Sequence, residues 1–444
     1  MRPPQSPSRK AALFLFAEPK HKEVAYRIRS PLPTFPLAFM SFFPSMNHRG
    51  VWLTTLMAAS ILMITMGTRQ SMGLYVGPLN TDTGLGIVTI SLAMAIGQFI
   101  WGAVQPVAGA FADKYGPRPV LLIGLLILVI GSALTPFVSS SLGLILTMGV
   151  LTAMGSGACS FSVLLSAAAQ RMPTESRGVA SGIINAGGSF GQFVFAPIIQ
   201  KLIQWLGWMG SMWSMAAVTL LAIPLLNRLT SDTHAPAKAP DPEGGLKKAV
   251  QDALKNPSYL LLHLGFFTCG FHIAFLVTHL PTEVGLCGLS PTVASWSLAI
   301  IGLANILGSL YAGSCINVYR SKYVLAVMYG SRAVLIALYL VAPKTEWTFY
   351  AFAMGLGFTW LATVPPTAAL VGKLFGIRYL ATLFGLTLLS HQVGGFLGAY
   401  LGGLALTLNG DYQWMWWADI ALSAMACFIN LPIKEAPIVK LQTT

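Results

Sequence analysis

A chain of 444 residues with 55% apolar and only 9% charged side chains cannot cover itself with a water-facing surface; soluble domains carry roughly 25% charged residues. The formal charge of +13 is scattered through an apolar sequence instead of gathered into a patch, which speaks for membrane topology and against nucleic-acid binding. The five cysteines (Cys159, Cys269, Cys287, Cys315 and Cys427) lack metal-ligand spacing, so neither a metal nor a cofactor is expected.

Residues 1–47 come first, a basic, proline-rich segment whose acids are Glu18 and Glu23. Its one apolar run, AALFLF, is too short for a signal-peptide core of roughly 7–15 residues or a span of about 20. The segment reads as a disordered tail, with Met40 and Met46 as alternative starts just ahead of the first span. A first bundle over 48–227 follows, with apolar windows at 51–78, 86–111, 119–138, 142–168, 178–203 and 208–227. The polar stretch 228–257 is a linker, and PEGGLKKAVQDALKNP within it reads equally as an amphipathic surface helix or a flexible connection. A second bundle over 258–433 holds windows at 258–281, 290–315, 323–342, 347–371, 379–406 and 413–432, and 434–444 is a short tail. Strand-like alternation is absent, so the expected fold is an all-α membrane protein of twelve transmembrane helices in two six-helix bundles.

The basic residues test that count. With both termini cytoplasmic, all but four of the 27 Lys and Arg fall on the cytoplasmic side, as the positive-inside rule requires. The exceptions are Lys201 and Lys344 in outer loops, and Arg69 and Arg332 inside spans.

The two halves repeat. GAFADKYGPRPVL (109–121) falls on GSCINVYRSKYVL (313–325), and AMGSG (153–157) on AMGLG (353–357). Gly182, Gly191, Phe193 and Ala196 fall on Gly385, Gly394, Phe396 and Ala399. Parallel repeats of this kind suit a transporter with its site at mid-membrane between them.

A charge in the hydrocarbon core costs ~2.5 kcal/mol or more, so the buried cations are the first candidates for a site. Arg69 lies twenty residues past Arg49, roughly 30 Å of helix. It reads either as a site residue in a long tilted span or as a side chain snorkelling to the outer interface. Arg332 lies ten residues past Lys322, near mid-depth, where it either joins the site or braces helices through carbonyls. His391 and Gln392 occupy mid-depth of the eleventh span, and Asn185, Ser189 and Gln192 form a stripe on the fifth. A second stripe, Gln98 and Gln105 with Trp101, lies on span two; Asn305 and Ser309 make a third on span eight. Asp419 is the clear intramembrane acid, and it or His391 is the candidate titrating group for coupling. Cations outnumber acids inside the spans, which favours an anionic or polar substrate.

GAFADKYGPRPVLLIG, after span two, resembles the loop signature of the major facilitator superfamily, with Gly109, Asp113, Gly116 and Arg118 in place. Its degenerate copy after span eight also fits that superfamily. RQSMGLYVGPL and QPVAGAFADKYGPR are similar to bacterial monocarboxylate porters and oxalate/formate antiporters. The resemblance implies a monomeric secondary transporter of the bacterial inner membrane. Its partners would be the lipid bilayer, a small organic anion, and a proton or counter-anion. It also implies that Arg69 holds a substrate carboxylate, with Arg332, His391, Gln392, Asn185 and Asn305 around it. Gly109, Asp113, Gly116 and Arg118 would form a conformational latch. One departure stands out: span eight offers Asn305 where those groups often carry a second cation. A multidrug exporter is the rival reading, through GGSFGQFVFAP on span five, but Ala196 stands where that signature has glycine. No nucleophile–base set and no phosphate-cradling loop appears, so neither an enzyme nor an ATP-driven pump is expected.

Overall fold

The computed structural model describes residues 49–169, 171–172, 174–230, 245–316, 318–376 and 380–435. The N-terminal tail, most of the linker (231–244), the last residues (436–444) and the side chains of Asp113 and Lys114 lie outside the described residues. Nine helical segments among those described are long and apolar enough to cross a membrane. One of them, Ala180–Leu229, is 50 residues long and holds two crossings. Gly207, at φ 70° and ψ 174°, breaks the helix there; only glycine adopts that conformation without strain. Leu380–Asn409 and Gln413–Asn430 complete twelve crossings, and no strand occurs among the described residues.

We number the crossings in chain order. Helix α1 is Arg49–Gln70, continued by a 3₁₀ turn (Met72–Tyr75) and Val76–Thr83. Helices α2 and α3 are Ile87–Tyr115 and Pro117–Leu134. Helix α4 runs from Ser141 to Ala169 in pieces, including a π-helical stretch, Ile145–Leu151. Helix α5 is 174–206, and α6 is 208–229, interrupted at Leu221. In the second half, α7 is Pro257–Leu286, α8 Pro291–Cys315 and α9 Ser321–Val341. Helix α10 is split into Glu346–Thr359 and Val364–Phe375; α11 is Leu380–Asn409 and α12 Gln413–Asn430.

The interruptions have local causes. Pro365 and Pro366 open the second piece of α10, where a missing N–H costs nothing, so the helix parts just ahead of them. In α1 the cause is tertiary: Gly73 lies so close to α7 that a Cβ there would sit 2.0 Å from the Val277 carbonyl oxygen. In the linker, Gly245–Leu254 is helical and buries Ala253, with Val250, against the second bundle. The surface-helix reading of that segment therefore holds.

The repeat detected in sequence is a repeat of packing. A Cβ on Gly191 (α5) would lie 2.2 Å from the Met63 carbonyl oxygen (α1), and one on Gly394 (α11) 2.0 Å from that of Phe267 (α7). Gly157 on α4 approaches the Trp101 carbonyl, and Gly357 on α10 the Ile301 carbonyl, at 2.8 and 2.7 Å by the same measure. Small residues let backbones meet where lipid offers no hydrophobic drive between helices. The matched glycines thus place equivalent helices in two pseudo-symmetric bundles.

The bundles touch along α2–α11, α5–α8 and α1–α7. Gly403 meets Ser91, Gly102 meets the Gln392 side chain, Gly302 meets the Ser189 carbonyl, and Gly73 meets Val277. These contacts lie at mid-depth or in the half remote from Arg118 and Lys322. Nearer that basic face, Gly109, Gly182, Gly313 and Gly385 meet nothing within 4 Å.

On the basic face of the second bundle, Glu435 ties three helix ends together. Its carboxylate accepts from the Lys322 backbone N–H at 2.7 Å, in the first turn of α9, and pairs with Lys373 of α10 at 3.1 Å. An anion at a helix N-terminus is stabilised by the peptide dipoles there. Of the expected latch on the other bundle, Gly116 makes the α2–α3 turn at φ 85° and Arg118 is exposed. The Asp113 side chain lies outside the described residues.

Candidate substrate site

Arg69 sits at the end of the straight part of α1, one residue before the 71–75 interruption. Fourteen residues of helix remain beyond it to Thr83, roughly 20 Å of rise, so its Cα lies well inside the bilayer. Its side chain stays there. The guanidinium donates to the Gln98 amide oxygen on α2 and lies over the Trp101 ring, 4.2 Å from its centroid. A ring face is worth ~2 kcal/mol or more to a desolvated cation. Among the described residues no carboxylate forms an ion pair with Arg69; the pairs found are His272–Asp419 and Lys373–Glu435.

The opposing surface comes from the other bundle. Gln392 packs against Gly102, and Gly395 faces the Gln98 side chain, so α11 brings Gln392 to the level of Trp101. His391 contacts the Gln392 amide at 3.3 Å, lies beside the Phe266 ring, and keeps its Nε2 buried without a protein partner. The Trp101 indole N–H is likewise buried and unpartnered. Arg69, Gln98, Trp101, His391 and Gln392 therefore form one polar patch across the α2–α11 seam. A cavity of about 50 Å³ adjoins it, lined by Arg69 and Gln98 and roofed by Val277 and Thr278 of α7.

The remaining candidates lie elsewhere. Asn305 is buried at the α5–α8 seam, donating to Ser189 Oγ at 2.8 Å and accepting from the Leu361 N–H at 3.0 Å. It ties the two bundles together and satisfies a donor exposed by the α10 break. Asn185 is exposed one turn towards the basic face from Ser189. Arg332, 0% exposed, donates to the carbonyls of Thr359 at 2.8 Å and Trp360 at 3.2 Å, where α10 parts. Asp419 is equally buried, and its Oδ2 lies 2.5 Å from His272 Nδ1 on α7. His279 bonds the Ala399 carbonyl at 2.7 Å and Tyr412 at 3.1 Å within the second bundle.

Gln98 and Trp101 are central to the patch, yet neither was among the residues expected around the carboxylate. Their shared face on span two was the available signal; that it meets Arg69 is a tertiary fact. Nothing in the sequence of span four marked the π-helical stretch beside the cavity.

A family profile described as Major Facilitator Superfamily matches residues 51–287 and 284–442. The chain is 26% identical over 368 residues to Monocarboxylate transporter 13 of Bos taurus, covering 81% of this chain and 84% of that protein. It is 23% identical over 372 residues to the Oxalate:formate antiporter of Oxalobacter formigenes, covering 82% and 86%. Among solved structures, a D-xylose-proton symporter superposes with a TM-score of 0.69 at 15% identity, over 86% of this chain and 98% of that one. A bacterial homolog of the human lysosomal transporter Spinster, inward-facing and occupied, gives 0.66 at 16% identity, over 87% and 95%. At such identities the structures speak for the fold alone.

Proposed function

The chain belongs to the Major Facilitator Superfamily, a family of transporters, and from the Arg69 site we propose that it carries a small organic monoanion, a monocarboxylate in the simplest case. One observation carries this reading: a guanidinium deep in the membrane, held by an amide and an aromatic face, with no carboxylate among the described residues to balance it. Arg presents a planar fork that matches a carboxylate in two parallel hydrogen bonds. The relatives named for monocarboxylates and for oxalate and formate agree with an anionic cargo.

In this reading the bound carboxylate completes the charge balance. Closing the bundles over an empty site would dehydrate an uncompensated cation, at a cost of several kcal/mol. A loaded site removes that penalty, so the carrier reorients with its anion. Such a carrier works by exchange. Proton symport is the second mode, favoured by the unpartnered His391 Nε2 at the same level. Gln392 orients the anion from the opposite bundle, and Asn185 meets it on entry. Arg332, Asn305 and Asp419 serve from behind, holding the α10 break and the core of the second bundle. A cation exporter is disfavoured, because no acid is among the described residues that line the recess beside Arg69.

We place the two bundles at 48–227 and 258–433, joined by the 228–257 linker, in a cell membrane of bacterial inner-membrane type. The basic face and both termini are cytoplasmic, from the asymmetry of Lys and Arg. Proteoliposomes preloaded with unlabelled propionate and given labelled propionate outside test the function. Exchange should be rapid in wild type and fall about 100-fold, ~2.7 kcal/mol, in Arg69→Ala. Equal rates in the two proteins would remove the site. A rate that needs a proton gradient and no internal anion would select symport.

A further inference from the structure

The cavity beside Arg69 runs into the first bundle, not along the seam. Its walls are α1, α2, α3 and α4, with α7 touching only at the roof. We propose that this recess is a tail subsite: Arg69 grips the carboxylate, and a short apolar tail enters between α2 and α4 against Met94, Met148 and Ala153. The inference rests on the monocarboxylate reading and names the part of the acid that the first bundle selects.

Three features support it. Three hydroxyls in the first-bundle wall are already committed to their own helices, which leaves Thr278 at the roof and the Gln98 amide beside Arg69 as the other polar side chains there. Thr68 donates to the Ile64 carbonyl at 2.8 Å, Thr152 to that of Met148 at 2.5 Å, and Ser156 to that of Ala153 at 3.1 Å. The rest of what faces the space is methyl, thioether and small aliphatic surface. Methionine adapts its shape to whatever lies against it.

The second feature is how the recess is made. Helix α4 is π-helical over Ile145–Leu151, and such stretches are rare and concentrated at functional sites. Within it Gly149 comes so near α2 that a Cβ would lie 2.7 Å from the Ala93 carbonyl oxygen, while Gly97 faces Gly149 from the other side. The two helices are pinched at these glycines. Met148 and Ala153 flank the pinch and line the space beside it.

The third is size and charge. A water-sized group takes up roughly 10–15 Å³ of such space, so about 50 Å³ holds some three to five of them. That suits acids of about two to four carbons. The recess offers no second cation, since Arg332 is sealed in the other bundle on main-chain carbonyls. A second carboxylate deep in the recess would have no positive partner among the described residues, a costly burial. The site therefore takes a monoacid and rejects the diacid of equal length.

The test is binding of a homologous series from formate to hexanoate, with oxalate and malonate, to the purified full chain by displacement of labelled propionate. In wild type, affinity should rise roughly fourfold per methylene up to three or four carbons, then fall. Malonate should bind at least tenfold more weakly than propionate. Ala153→Leu fills the recess and should cost butyrate tenfold or more while leaving formate within about threefold. Met148→Ala enlarges it and should move the optimum to longer acids, which keeps the test open if the leucine variant does not fold. A flat series in wild type, equal losses at every length in the variants, or malonate binding like propionate would overturn the subsite while leaving Arg69 as anion anchor. No binding of any monoacid to wild type would overturn the function proposed above and the subsite with it.

Discussion

Two arginines lie inside this membrane protein, and the fold treats them in opposite ways. Arg332 is fully buried in the second bundle, where its Nη2 donates to two carbonyls that the α10 break leaves free, while its Nε and Nη1 are buried without a partner among the described residues. Arg69 borders a cavity that runs into the first bundle and is given an amide and a ring face, but no acid among the described residues. A cation whose partners are all internal belongs to the architecture. One that borders a cavity is, on the proposed function, placed to meet an anion from outside. The contrast also explains why α10 can be discontinuous. Arg332 from α9 and Asn305 from α8 satisfy the backbone groups exposed at 359–361, as broken membrane helices require.

The sharpest way to break this comparison is to remove each arginine in turn. Arg332→Ala strands two buried carbonyls and opens a void, and should cost the protein about 2–5 kcal/mol. Thermal unfolding in detergent should show it as a large fall in Tm. Arg69→Ala should leave Tm unchanged or raised, because it removes a desolvated charge, while exchange falls about 100-fold. If the two effects were interchanged, with Arg69 the structural residue, the assignment of roles would be reversed.

Smaller changes sharpen it. Asp419→Asn keeps the shape of the His272 contact and removes its charge, and should cost ~1–3 kcal/mol of stability with exchange retained. A collapse of exchange at unchanged Tm would instead make Asp419 a coupling group. Asn305→Ala breaks the link to Ser189 and frees the Leu361 N–H, for about 1–2 kcal/mol and a modest rate change. Arg69→Lys keeps the charge and loses the fork, and should weaken monocarboxylate binding roughly tenfold by displacement titration.

Much of the architecture was legible before any coordinates. Span number followed from apolar windows checked against the basic residues. The two-bundle symmetry followed from glycines such as Gly191 and Gly394, whose spacing is fixed by backbone contacts that nothing larger permits. Arg69 stood out because a charge in lipid is costly, and it lies in the cavity wall. Its surroundings were not legible. Gln98 is 29 residues away in sequence, and the pairing of His272 with Asp419 spans 147. Such pairs depend on helix rotation, which a polar stripe alone does not fix. The kink in α1 has no proline to announce it; it follows from Gly73 meeting α7. The π-helical part of α4 coincides with the close approach of Gly149 to α2, a tertiary contact that the local sequence does not announce.

The most direct measurement compares ligand-induced thermal stabilisation in wild type and Arg69→Ala, with propionate at about 100 times its dissociation constant for wild type. Wild type should gain ~2.7 kcal/mol of stability from the bound acid; Arg69→Ala, at least as stable without ligand, should gain nothing. An equal gain in both proteins would show that the anion binds without the arginine, and the contrast between the two buried cations would lose its meaning.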